Sequence, residues 1–439
     1  MGLMARVYDI TDYRITDHEV EVPVDWRQPH RFGSIRVFVR EVVKLSKVDA
    51  DLPPLIFLQG GPGAGSPRPP HNTWIEKAAD HYRVLLLDQR GTAKSTPITG
   101  RFITDFIAAH GGGVEGTKVA ADYVACFRAD AIADDVAHLC HVLNDGVPWT
   151  TLGQSFGGFI TVSLLSRHPE TVARAMTTGG ILAIDRSADD LYDDLIPLQT
   201  ARHDEFRTRF PEDQALFESL ADRAEAGELV TLAGDVLSVH RLQLLGGDFG
   251  MSTGVENLHW MLDTAVEADG KPSQKFIEAT AQRSEHAGDP LYWTLQEGCY
   301  HQGHRAGGWG AWNALQRHPE YAAHARPLLT FAEFAQPWMF SELTALRPFA
   351  GVAEELAAER TWPQLWDVDQ LARNSVPLAA AQYTHDPYVG LEGAKRSLAL
   401  IGNSQLWESD AYLHDGLRLH GDTIIPELMR LLGVLQPGD

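Results

Sequence analysis

The octapeptide Thr151-Leu152-Gly153-Gln154-Ser155-Phe156-Gly157-Gly158 closes a short apolar run with Gly-x-Ser-x-Gly and passes straight into the mostly apolar residues 159–165. A serine in such a place sits in a strained strand-to-helix turn. Glycines are needed on both sides because side chains would collide where the backbone doubles back. The turn lifts the Ser155 hydroxyl out of a sheet, and the next helix aims its N-terminus at that oxygen. The Phe156 N–H is then free to stabilise negative charge that develops during attack. Taken alone the pentapeptide is a weak signal, because a plain glycine-rich loop has the same composition.

The 439 residues allow one large domain with an insertion, or two to three small ones, and bury a large core either way. An excess of 59 acidic over 37 basic side chains gives a formal charge of -22, which repels polyanions over most of the surface. Nucleic acid and anionic membranes are therefore not expected partners. Cys126, Cys140 and Cys299 are too few for a disulfide framework and too scattered for a zinc site, so they read as buried thiols in a reducing compartment. Met1-Gly2-Leu3-Met4-Ala5-Arg6 leads into polar sequence without a signal-peptide core, and no apolar run is long enough to span a bilayer. A cytoplasmic enzyme is the expectation.

Residues 18 to 42 alternate apolar and polar, the period of an antiparallel hairpin. Leu55-Ile56-Phe57-Leu58 and Val84-Leu85-Leu86-Leu87 are continuous apolar runs, as expected of parallel strands covered on both faces. The loops after them lie where an open α/β sheet binds ligands. Helical spacing from Tyr123 to Leu143 predicts one helix leading to the Ser155 strand, and 173–178 predicts another strand. From about 185 to 365 the sequence turns helical and rich in Trp, His and Glu, and strand-like runs return only at 376–381. The expected architecture is an α/β fold with a mostly parallel central sheet, formed by 1–184 with 366–439, and an inserted, mostly helical domain over 185–365.

Ser155 needs a base, an orienting acid and a second oxyanion donor, which α/β hydrolases supply in the chain order Ser, Asp or Glu, His. Asp386 lies just beyond the 376–382 strand, although an Asp before Pro is also an ordinary turn residue. His414 and His420 both follow the last strand candidate, 404–408. His414 sits in a turn sequence and is preferred, since His420 falls where the terminal helix begins. Gln59-Gly60-Gly61-Pro62-Gly63-Ala64-Gly65 follows the 55–58 strand and offers the Gly61 N–H as the second donor. It lacks the Lys-Ser/Thr ending of a phosphate loop.

Gln59-Gly60-Gly61-Pro62-Gly63, Asp88-Gln89-Arg90-Gly91-Thr92 with Ser95-Thr96-Pro97, Phe127-Arg128-Ala129-Asp130 and Gly153-Gln154-Ser155-Phe156-Gly157-Gly158 together resemble the proline iminopeptidase family in its larger form. The similarity continues at Asn374-Ser375-Val376-Pro377 and His414-Asp415-Gly416-Leu417-Arg418. The resemblance implies an α/β-hydrolase fold with a helical cap and cofactor-free, metal-free release of an N-terminal residue, most often proline, from peptides. It carries over Ser155 as nucleophile, Asp386 as orienting acid and His414 as base. It also implies cap glutamates that grip the free amino group, and Glu297 and Glu333 match best. The physics agrees, because carboxylates in a closed pocket offset the desolvation of an ammonium and reject blocked N-termini. Tyr300, Trp309, Trp312 and Trp338 could wall such a pocket, or simply pack the cap.

Departures from the family pattern concentrate in the cap, where Gln296-Glu297 stands for His-Glu and Phe331-Ala332-Glu333 for Thr-Gly-Glu. Ala93 also replaces a glycine, and His385 a second Asp. The expected partner is a peptide or small molecule with a free N-terminus, and a homo-oligomer is compatible with the sequence. The alternatives are an esterase or amidase on the same scaffold without amine recognition, and a binding protein on a decayed hydrolase fold, which the occupied triad positions argue against. An epoxide hydrolase or dehalogenase would place an aspartate where Ser155 stands.

Overall fold

The computed structural model describes residues 4–69, 73–305 and 307–436. Its strands are β1 (Met4–Ile10), β2 (Tyr13–Pro23), β3 (Ser34–Lys44), β4 (Pro54–Leu58), β5 (Arg83–Asp88), β6 (Trp149–Gln154), β7 (Val172–Thr178), the short β8 (Gly303–Arg305) and β9 (Arg360–Trp362), β10 (Leu378–Tyr383) and β11 (Ser404–Ser409). All but β8 and β9 form one nine-stranded sheet in the order β1-β2-β3-β5-β4-β6-β7-β10-β11. The first three strands form an antiparallel meander, and β3 joins β5 antiparallel. From β5 to β11 every pairing is parallel.

The apolar strands are buried on both faces for a visible reason. Ile56, Leu58, Leu85 and Leu87 point into one core with the helices Ala129–Leu143 and Phe156–Arg167. Leu55, Phe57, Val84 and Leu86 point into the other, which Trp74, Ile75 and Leu417 to Met429 of the terminal helix complete. Strand order reverses at β4, flanked by β5 on one side and β6 on the other, and the loops after β4 and β6 meet at that crevice.

Two sequence expectations change. The single helix over 123–143 is two, Gly113–Val124 and Ala129–Leu143, with a 3₁₀ turn between them and Arg128 extended at φ -93°, ψ 178°. Arg128 leaves the helical path because its buried guanidinium donates to the carbonyls of His301 and Pro363 at 2.8 and 3.1 Å. The expected strand over 376–382 is β10 at 378–383.

Between β7 and β10 the chain is mostly helical, and part of it has its own core around Phe206, Phe217, Leu242, Phe249 and Phe276. Residues 247–252 of this segment are stapled to the sheet's C-terminal loops. Gly250 donates to the Tyr388 hydroxyl at 2.9 Å, His414 N–H donates to Gly250 at 3.0 Å, and Ser252 donates twice to Asp415 at 3.0 and 2.6 Å.

Candidate active site

Ser155 caps the helix Phe156–Arg167 with φ 55° and ψ -125°, a left-handed conformation that costs a non-glycine residue about 1–3 kcal/mol. Close packing holds it there. A Cβ on Gly157 would lie 1.8 Å from the Leu58 carbonyl oxygen, and one on Gly158 2.1 Å from that of Gly180, so the helix sits against β4 and the loop after β7. Phe156 is the first helical residue, whose N–H has no intrahelical acceptor.

Asp386 follows β10 and is fully buried. Its Oδ1 accepts from the N–H groups of Tyr388 and Val389 at 2.9 and 3.1 Å, which leaves Oδ2 for His414 Nδ1 at 2.6 Å. Burial disfavours a charged His414, but the Asp386 charge and hydrogen bond outweigh it and raise the imidazole pKa above its ordinary value. The Tyr388 ring meets that imidazole edge-on, 4.9 Å between centroids. His420 is exposed and packs on Tyr412, away from this pair.

Gly61, at φ 123°, lies in the loop after β4. Gln89 donates to the Gln59 carbonyl at 2.5 Å and holds that loop. Its chain neighbour Arg90 is fully buried and forked onto Asp135 at 2.5 and 2.7 Å. The Asp-Gln-Arg-Gly motif is thus the support of the glycine loop, a role that composition alone did not reveal.

Ser155, Gly61, His414 and Glu333 line one cavity of about 510 Å³. Glu333 accepts a hydrogen bond from the Tyr292 hydroxyl at 2.5 Å, and the Gln296 amide also bonds it. Burial raises its pKa, and the cation that acts on it most strongly is His414. Among the described residues no Lys or Arg neutralises it. Glu297 is not brought to this cavity. Expected to share the amine pocket, it instead turns to the N-terminus of the helix Gly310–Gln316, where it accepts from Ala311 N–H at 2.9 Å, and it lines a separate cavity of about 30 Å³. The aromatic wall also differs. Phe57, Trp74, Tyr292 and Trp293 face the Ser155 cavity, whereas Trp309 faces the small one. Tyr292 lies four residues before Gln296, on no motif that the sequence reading used.

A buried histidine–carboxylate pair beside a strained serine, with helix and loop N–H groups nearby, can perform acyl transfer. A family model described as the alpha/beta hydrolase fold matches residues 53–225. A curated proline iminopeptidase from Aeromonas sobria is 35% identical over 416 residues, covering 94% of this chain and 95% of that protein. The chain belongs to the proline iminopeptidase family. A second such enzyme, proline iminopeptidase aneH from Aspergillus aculeatus, is 29% identical over 440 residues, covering 95% of this chain and 93% of that protein. Both matches run across residues 185–365, so the likeness to proline iminopeptidases includes the segment that carries Glu297 and Glu333. Among the described residues no helix is long and apolar enough to cross a membrane.

Proposed function

We propose that this protein is a serine aminopeptidase that releases N-terminal proline from peptides, with residues 185–365 as a cap over the site. Ser155 attacks the first peptide carbonyl, His414 accepts its proton and returns it to the leaving amine, and Asp386 fixes the imidazole tautomer. The Gly61 and Phe156 N–H groups hold the oxyanion. Water then attacks the acyl-enzyme with His414 again as base, and free proline leaves. Every step is balanced by proton transfers through His414, so no cofactor is invoked.

The observation that carries this reading is Glu333. A buried carboxylate held only by neutral donors, opening onto the cavity of the nucleophile, suits a substrate that brings its own cation. Glu297 supports the pocket from behind by holding the Gly310–Gln316 helix. Three buried free cysteines fit a cytoplasmic setting, and burial pushes the Cys126 and Cys140 thiols up to about 11, which keeps them inert.

The test is the hydrolysis of a proline arylamide with a free imino group beside its N-acetylated form, with Ser155→Ala as control. Preference for the free compound, lost in the variant, is expected. Equal cleavage of both forms would favour an esterase or amidase instead.

A further inference from the structure

Tyr388 stands two residues after Asp386 and is 3% exposed. Its backbone N–H donates to Asp386 Oδ1 at 2.9 Å, and its ring meets the His414 imidazole edge-on, 4.9 Å between centroids. Its hydroxyl reaches residues 247–250 of the helical segment, where it accepts from Gly250 N–H at 2.9 Å and donates to the Gly247 carbonyl. Gly250 admits this approach because it has no side chain: a Cβ there would lie 2.2 Å from the Tyr388 ring. The Gly250 carbonyl in turn accepts from His414 N–H at 3.0 Å. A chain of contacts thus runs from Asp386 through Tyr388 and Gly250 to His414, closed by the bond between the imidazole and the carboxylate.

The stretch that Tyr388 grips is itself anchored. Phe249 is fully buried in the core of the helical segment with Phe206 and Phe217, and Arg202 donates to its carbonyl at 2.8 Å. Gly247, Asp248 and Met251 line the same cavity as Ser155 and His414. We infer that Tyr388 is a positioning residue of the active site: its hydroxyl seats Gly247 and Gly250, and Gly250 holds the backbone of the base, so the alignment of His414 depends on the helical segment. This role rests on the Ser155–His414–Asp386 reading above. Loss of the hydroxyl would leave the buried Gly250 N–H and Gly247 carbonyl without this partner, and the segment would shift to satisfy them. A base displaced with it loses rate, because it must stay within hydrogen-bond reach of the serine proton.

The test uses the full chain as wild type and Tyr388→Phe, which keeps the ring on His414 and the N–H on Asp386 but releases Gly247 and Gly250. Steady-state kinetics are read on a free proline arylamide and on p-nitrophenyl acetate, with the folded fraction fixed by circular dichroism. In the folded variant kcat is expected to fall about tenfold or more on both substrates, with KM within about threefold of wild type. The low-field proton resonance of the bond between His414 Nδ1 and Asp386 is expected to broaden or shift. Should Tyr388→Phe not fold, Ser252→Ala removes the 2.6 Å bond from the same stretch to Asp415, beside His414, and is expected to lower kcat on both substrates in the same proportion. A folded Tyr388→Phe protein with wild-type kcat and an unchanged resonance, or a change in KM alone, would overturn the role of Tyr388. With Ser252→Ala as the fallback, wild-type kcat on both substrates would do the same. A wild type that turns over neither substrate would remove the triad reading, and this assignment with it.

Discussion

His414 Nδ1 stands 2.6 Å from Asp386 Oδ2, and the other oxygen of the same carboxylate is already taken by two backbone N–H groups. The carboxylate is therefore fixed before it meets the imidazole, and it presents one oxygen in one direction. Asp386→Asn can keep the shape but turns an N–H toward His414 or forces the wrong tautomer. It is expected to lower kcat about 10³–10⁴-fold with little change in KM, measured by steady-state kinetics.

The same pair sets a pH dependence. In the proposed mechanism His414 works as a base only when neutral, and its pKa is raised, so activity is expected to be full at high pH and to fall as pH drops through a value above the ordinary 6.5. On the same proposal Glu333 must be ionised to bind an amine, and its pKa is raised too, so KM is expected to rise as pH falls through a value above 4.5. Both groups act on the acid side. A kcat/KM profile whose acid midpoint lies below 6.5 would contradict the raised imidazole.

Arg90 and Asp135 form an ion pair with both side chains at 0% exposure. Asp135→Asn leaves a buried guanidinium without its counter-charge, and a loss of about 3–5 kcal/mol in unfolding free energy is expected, read by denaturant titration. Arg90 directly follows Gln89, whose amide holds the glycine loop, so kcat should fall in the protein that remains folded.

Gly157 has no room for a methyl group, since its Cβ would lie 1.8 Å from the Leu58 carbonyl oxygen and the clash is backbone on both sides. Gly157→Ala is expected to abolish activity or soluble expression. A folded, fully active Gly157→Ala protein would contradict the packing of the Ser155 turn.

Much of this was legible in the sequence, and the residues show why. Leu55 to Leu58 read as a strand covered on both faces because alternate side chains enter two different cores, which forces an unbroken apolar run. Ser155, Asp386 and His414 could be placed by chain order, because each follows a strand and the sheet gathers strand ends. Arg128 was not legible: its helix breaks for two carbonyls, His301 and Pro363, that lie far along the chain. The helical segment between β7 and β10 resisted for the same reason. Glu297 and Glu333 look alike as sequence, and only packing shows that one meets a helix end and the other the cavity. Tyr292 lies on no motif that the sequence reading used.

Glu297→Gln keeps an oxygen that can accept from Ala311 N–H. KM for a free proline arylamide is expected to stay within about threefold of wild type. A rise as large as that caused by changing Glu333 would place both carboxylates on the substrate.

The most direct measurement is kcat/KM of Glu333→Gln on a free proline arylamide, with p-nitrophenyl acetate as the amine-free control. Loss of the buried counter-charge should remove about 2–4 kcal/mol of transition-state binding, roughly 30- to 1000-fold in kcat/KM on the free amine, and leave the ester rate near wild type. An unchanged rate on the free amine, or an equal fall on both substrates, would contradict amine recognition by Glu333.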